Sequence, residues 1–186
     1  MDTAPLDALE ALFGGAGAER GAGGDPTRAG HLLRAAALAE ADGARPALVA
    51  AALLHGIDAL DRGERADDRR DRTGADRLAA WFGPDVTEPV RLHAAAGRYL
   101  CRAEPGYADR LPAPALRALA LQGGPMTVAE ARAYESEPYA RDAVTLRRWD
   151  ERARDPAARV PPFAHYRPLL AALLTASGPA SCRPRP

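Results

Sequence analysis

The sequence predicts an all-α fold, on three observations. Apolar residues recur at spacings of three and four along most of the chain, helix-starting and helix-stopping residues bracket those segments, and no stretch alternates polar with apolar residues as a half-buried strand would. The chain has 186 residues, enough for one well-packed domain and few for two, so a single domain over 1–186 is expected. A flexible glycine-rich connector is expected over 14–24 and a disordered tail over 177–186.

Taken in order, residues 4–13 place Leu6, Leu9 and Leu12 or Phe13 on one side of a short amphipathic helix, which the run GGAGAERGAGG then breaks. That run has no Gly-Lys-Ser/Thr ending and no preceding strand, which argues for a connector over a phosphate-binding loop. Asp25 followed by Pro26 predicts an N-cap with proline at the first helical position, opening a second helix that ends near Asp42, before Gly43. A third is expected from about Pro46 and holds the apolar run ALVAAALLHGIDAL over 47–60. The mixed-charge stretch DALDRGERADDRRDRTGAD lacks apolar periodicity and is expected to be a solvated loop, with helical turns as an alternative.

Further helices are expected over Ala75–Phe82, from Asp85 or Thr87 through Val90, His93, Gly97 and Leu100 or Cys101, and over ALRALALQ, which Gly123 and Gly124 terminate. Thr127 and Glu130 have the spacing of a capping box. Tyr139, Ala143, Leu146 and Asp150 follow one another at four, three and four, which puts a carboxylate on the apolar side of a helix. A last helix is expected over His165–Ala176.

Composition narrows the function classes. Acidic and basic residues number 25 each, and every basic one is an arginine interleaved with Asp and Glu, so no nucleic-acid footprint is read. No apolar run reaches the roughly 18 residues a membrane span needs, and no signal peptide or anchor is read. Cys101 and Cys182 do not make a disulfide framework, so a cytoplasmic location is expected.

The chemistry-bearing residues are the histidines. Leu48, Ala52 and His55 share a helix face, so the His55 imidazole is directed at the core, where its ring nitrogens need either hydrogen-bond partners or a metal. His31 and His93 also sit beside apolar residues in expected helices. Histidines converging from separate helices make a metal site in a helical bundle. Asp150 on a buried face needs a metal too, or a partner such as Arg147 or Arg148.

The succession His31, LVAAALLH over 48–55, HAAAGRYLC over 93–101, LALQGGPM over 119–126 and LRRWDERAR over 146–154 resembles the HD-domain superfamily. More narrowly it is similar to the HD-domain oxygenases that degrade organophosphonates, mixed-valent diiron enzymes related to myo-inositol oxygenase. The resemblance covers about residues 27–155 and implies a helical HD-domain bundle. It also implies metal-ligand roles for His31, His55, His93 and Asp150. Two departures stand out: the Asp expected after His55 is Gly56, and the histidine expected before the next helix falls among Arg69, Arg70 and Arg72.

The lost Asp is the carboxylate that bridges the irons in that family, and the lost histidine serves the second iron alone. What remains is His31, His55 and Asp150, a two-histidine, one-carboxylate set suited to Fe(II) or another divalent metal, one ion at most. His93 is then left as a nearby acid or base. On the substrate side, GAGG at 21–24 stands in place of a Tyr and Glu, Gly97 in place of a phosphonate-binding lysine, and Ala115 in place of a hydroxyl. Gln122 and Arg147 persist as substrate-binding residues.

The implied function is that of a divergent phosphonate-oxygenase-like protein acting on a small anionic substrate. Two alternatives stand beside it: an inactive pseudoenzyme that associates with an intact homologue, and a one-metal phosphohydrolase. Asp58, one turn after His55, is a candidate replacement carboxylate, but its place in a charged stretch predicts a solvent-facing side chain.

Overall fold

The computed structural model describes residues 4–14, 27–62, 70–154 and 160–176, and among these it contains helices and no strand. The helices are α1 (Ala4–Gly14), α2 (Arg28–Ala41), α3 (Pro46–Leu54), α4 (Ile57–Arg62), α5 (Arg70–Leu78), α6 (Pro84–Arg91), α7 (His93–Ala103), α8 (Ala113–Leu121), α9 (Val128–Glu135), α10 (Ala140–Arg152) and α11 (Phe163–Ala176). A 3₁₀ turn at Ala108–Arg110 joins α7 to α8.

The apolar helix α3 is buried along its whole length from Ala47 to Leu54 and packs against α2, α6, α10 and α11. A helix apolar on all sides is stable only inside other helices, and this one is the axis of the bundle. The main cluster around it also takes in Leu9 and Phe13 of α1 and Phe163, Tyr166 and Leu170 of α11. A smaller cluster of Leu92, Ala96, Met126, Tyr134 and Ala143 joins α7, α9 and α10.

Several boundaries differ from expectation. Helix α2 is capped by Thr27, whose hydroxyl accepts from the Gly30 amide at 3.0 Å, and the expected cap at Asp25 and Pro26 lies outside the described residues. The run over 47–60 is two helices, broken at His55 and Gly56. The charged stretch is helical at both ends, in α4 and α5, and α5 closes at Leu78 where a helix to Phe82 was expected. The helix expected to run through His93 is interrupted at Leu92, so that His93 opens α7. The connector past Gly14 and the tail over 177–186 lie outside the described residues.

The capping box is present: Thr127 Oγ1 accepts from the Glu130 amide, and Glu130 Oε2 accepts from the Thr127 amide. Helix α8 buries none of its residues, and Leu116 and Leu121 are exposed. None of the described helices is long and apolar enough to cross a membrane.

Candidate metal centre

Long-range bonds fix α2 against the end of α10. The buried Arg34 donates through Nε to the Ala153 carbonyl at 2.7 Å, and Trp149 Nε1 donates to Asp42 Oδ2 at 2.8 Å. With α2 held there, His31 in its first turn reaches Asp150 near the end of α10, Nε2 to Oδ1 at 2.7 Å. The break after α3 delivers the second imidazole, with His55 Nε2 at 3.3 Å from the same oxygen. His93, the first residue of α7, brings its Nε2 to 3.6 Å from Asp150 Oδ2.

His31, His55 and Asp150 each offer a ligand atom, and these atoms all lie within 4.8 Å of one another. His55 Nδ1 donates to the Ala52 carbonyl at 2.8 Å, which fixes the ring and places its one remaining lone pair on Nε2 when the ring is neutral. Burial above all pushes the His55 pKa down, so the neutral ring is the favoured form. Its lone pair then faces a carboxylate oxygen. Two electron-pair donors 3.3 Å apart repel each other unless a cation lies between or beside them.

Burial alone would raise the Asp150 carboxyl, but hydrogen bonding to the surrounding imidazoles, His31 foremost, outweighs it and holds the group well below the usual carboxylate range. Of the arginines weighed as its partner, Arg147 stands 3.6 Å away through Nη1, while Arg148 pairs with Glu104. Burial lowers the Arg147 pKa, but Asp150, Tyr107 and Glu151 together raise it, so the guanidinium is a fixed cation. Its Nε donates to Glu151 Oε1 at 3.0 Å and to the Tyr107 hydroxyl at 3.3 Å.

Asp150 forms part of the wall of two cavities. One, of about 220 Å³, is bounded by His31, Leu32, His55, Gly56, Asp58 and His93. The other, of about 130 Å³, is bounded by Gly97, Ala115, Leu119, Gln122, Arg147 and Arg154. All of the site residues expected from sequence therefore border one cavity or the other. Gly97 is where Arg147 lies close: a Cβ there would stand 3.4 Å from the guanidinium carbon.

The expectation for Asp58 is corrected. It is 7% exposed and faces the cavity with His55, because the turn at His55 and Gly56 restarts the helix and rotates the residue inward. The space beside Gly56 is taken by Leu32, whose Cδ2 would lie 3.1 Å from a Cβ at position 56. Sequence reasoning missed Arg154, although it follows Asp150 by four residues, one helical turn. The fourth histidine, His165, is remote from the centre and bonds Glu40.

An all-α bundle that gathers two imidazoles and a carboxylate from three parts of the chain, beside a cavity bordered by arginine, is a scaffold suited to metal-assisted chemistry on an anion. The chain is 38% identical over 148 residues to a hydroxymethylphosphonate dioxygenase of Gimesia maris, covering 75% of this chain and 74% of the relative. It is 31% identical over 174 residues to the glycine-betaine-forming 1-hydroxy-2-(trimethylamino)ethyl phosphonate dioxygenase of Leisingera caerulea, covering 89% of this chain and 88% of the relative. No family model matches the chain. The chain belongs to the phosphonate dioxygenase family.

Proposed function

We propose that this protein binds one divalent metal, Fe(II) in the first instance, through His31 Nε2, His55 Nε2 and an Asp150 carboxylate oxygen, and oxidises a small organophosphonate. The observation that carries the reading is the convergence of a neutral, backbone-anchored imidazole lone pair and a carboxylate, with a second imidazole 2.7 Å from the same oxygen. Such a donor set fits a cation better than it fits an ion pair between side chains. Both relatives are named as phosphonate dioxygenases, which supplies the substrate class and the oxidant.

What a bound Fe(II) supplies in a site of this kind is Lewis acidity and open positions for oxygen and substrate. The chain's own groups do the rest. Arg147, its Nε committed to Glu151 and Tyr107, has terminal nitrogens left for a phosphonate oxygen, and Gln122 adds an amide donor from the end of α8. His93 Nε2 lies beside Asp150 and serves as the group that takes or returns a proton. The restriction to one metal is supported by Leu32, which fills the space beside Gly56 where a bridging carboxylate would stand.

The test is metal analysis of protein purified with Fe(II), followed by phosphate release from hydroxymethylphosphonate under oxygen. One iron per chain, lost together with turnover in His55→Ala, is expected. Two irons per chain would sink the one-metal reading, and full iron with no oxygen-dependent phosphate release would sink the oxygenase reading.

A further inference from the structure

Beyond the cavity beside Asp150 lies a larger cleft of about 420 Å³, and Leu111 and Arg154 border both. Among the described residues, Arg110, Arg148, Arg152 and Arg154 line this cleft against a single carboxylate, Glu151. Glu151 is already taken up, accepting from the Tyr107 hydroxyl and from Arg147 Nε. Arg110 and Arg148 share Glu104, and Arg152 is paired with Asp42. Arg154 is exposed and, among the described residues, makes no ion pair or hydrogen bond. Among the described residues the cleft thus presents one guanidinium without a counter-charge, four residues beyond the candidate metal ligand Asp150.

We infer that the outer cleft recognises an anionic second group on the substrate, and that Arg154 is the residue that selects it. The inference rests on the phosphonate reading above: with the phosphonate held at Arg147 and Gln122, the substituent extends past Leu111 to Arg154. A carboxylate or phosphate there can accept two parallel bonds from the guanidinium fork. A trimethylammonium substituent, the group in the name of the Leisingera caerulea relative, would meet like charge instead. Substrate choice in this chain is therefore set at the substituent end, and the substrate class is a short phosphonate bearing a second anion.

Because Arg154 is exposed, solvent screens its charge, and an effect of about tenfold in affinity is expected rather than the larger loss of a buried pair. The experiment uses the full iron-loaded chain and titrates methylphosphonate, 3-phosphonopropionate and 2-(trimethylammonio)ethylphosphonate, without oxygen, by calorimetry. The wild type should prefer the carboxylate-bearing ligand over the trimethylammonium one by about tenfold, Arg154→Gln should shrink that preference, and Arg154→Glu should reverse it. Iron content should stay within about twofold in both variants. If methylphosphonate binds but the variants leave the preference unchanged, this inference is overturned and the phosphonate reading stands. If methylphosphonate does not bind the iron-loaded wild type, both are overturned.

Discussion

Gly56→Ala tests whether Leu32 occupies the space that a side chain at position 56 would need. The added methyl carbon would lie 3.1 Å from Leu32 Cδ2, with Cδ1 and Cγ at 3.7 and 3.8 Å. Carbon atoms settle at roughly 3.5–4.0 Å, so the shortfall is about half an ångström. Leu32 is 1% exposed and packed in the main core, so it cannot swing away without disturbing its neighbours. Overpacking on this scale costs ~1 kcal/mol, the low end of its usual range.

Leu32→Ala removes the crowding atoms and costs ~2–5 kcal/mol alone through the cavity it leaves. In the double variant the methyl enters that cavity. The combined loss should then fall short of the sum of the single losses by ~0.5–1 kcal/mol. Urea unfolding followed by helical circular dichroism, on all four proteins in chelator, measures the cycle. Additivity within ~0.3 kcal/mol would refute the steric account of position 56.

Three further outcomes are expected. The folded-state pKa of His55 is depressed below its ordinary ~6.5, so as the pH falls below that value the unfolded chain takes up a proton that the folded chain refuses. The urea midpoint of metal-free protein should therefore fall between pH ~7 and ~5, less steeply in His55→Gln, and an equal slope in the two proteins would contradict the assignment. Arg34→Met keeps the apolar stem but leaves the buried Ala153 carbonyl without its donor, at a cost of ~1–3 kcal/mol in unfolding experiments. It should also weaken iron binding, since the same bond sets His31 against Asp150; unchanged affinity would separate the two. Tyr107 is 2% exposed, and Tyr107→Phe takes its hydroxyl from Glu151 and Arg147, with an expected loss of ~1–3 kcal/mol and unchanged iron content.

The all-α class and the inward faces of His55 and Asp150 were legible because helical periodicity assigns each residue a face, while the grouping of His31, His55 and Asp150 as one set came from the resemblance to the oxygenase family. The break at His55 and Gly56 was not legible, since the apolar run continues across it and one glycine is tolerated within a helical pattern. That break also hid Asp58, which local charge density assigns to solvent and the restarted helix turns inward. The start of helix α5, ahead of the expected Ala75, escaped for a related reason: it is charged and offers no apolar period to detect. The bond from Arg34 to Ala153 spans 119 residues of sequence, and no local pattern encodes it.

Asp150 already has His31 against one oxygen and His93 and Arg147 near the other before any ion is added. A bare anion at such depth would hold the bundle open until a counterion arrived. Here the polypeptide supplies provisional counterparts of its own, so assembly can finish first and loading can follow as an exchange of partners. Unlike small domains that stay unfolded without their ion, this chain has the makings of a stable empty form, ready for the metal proposed above.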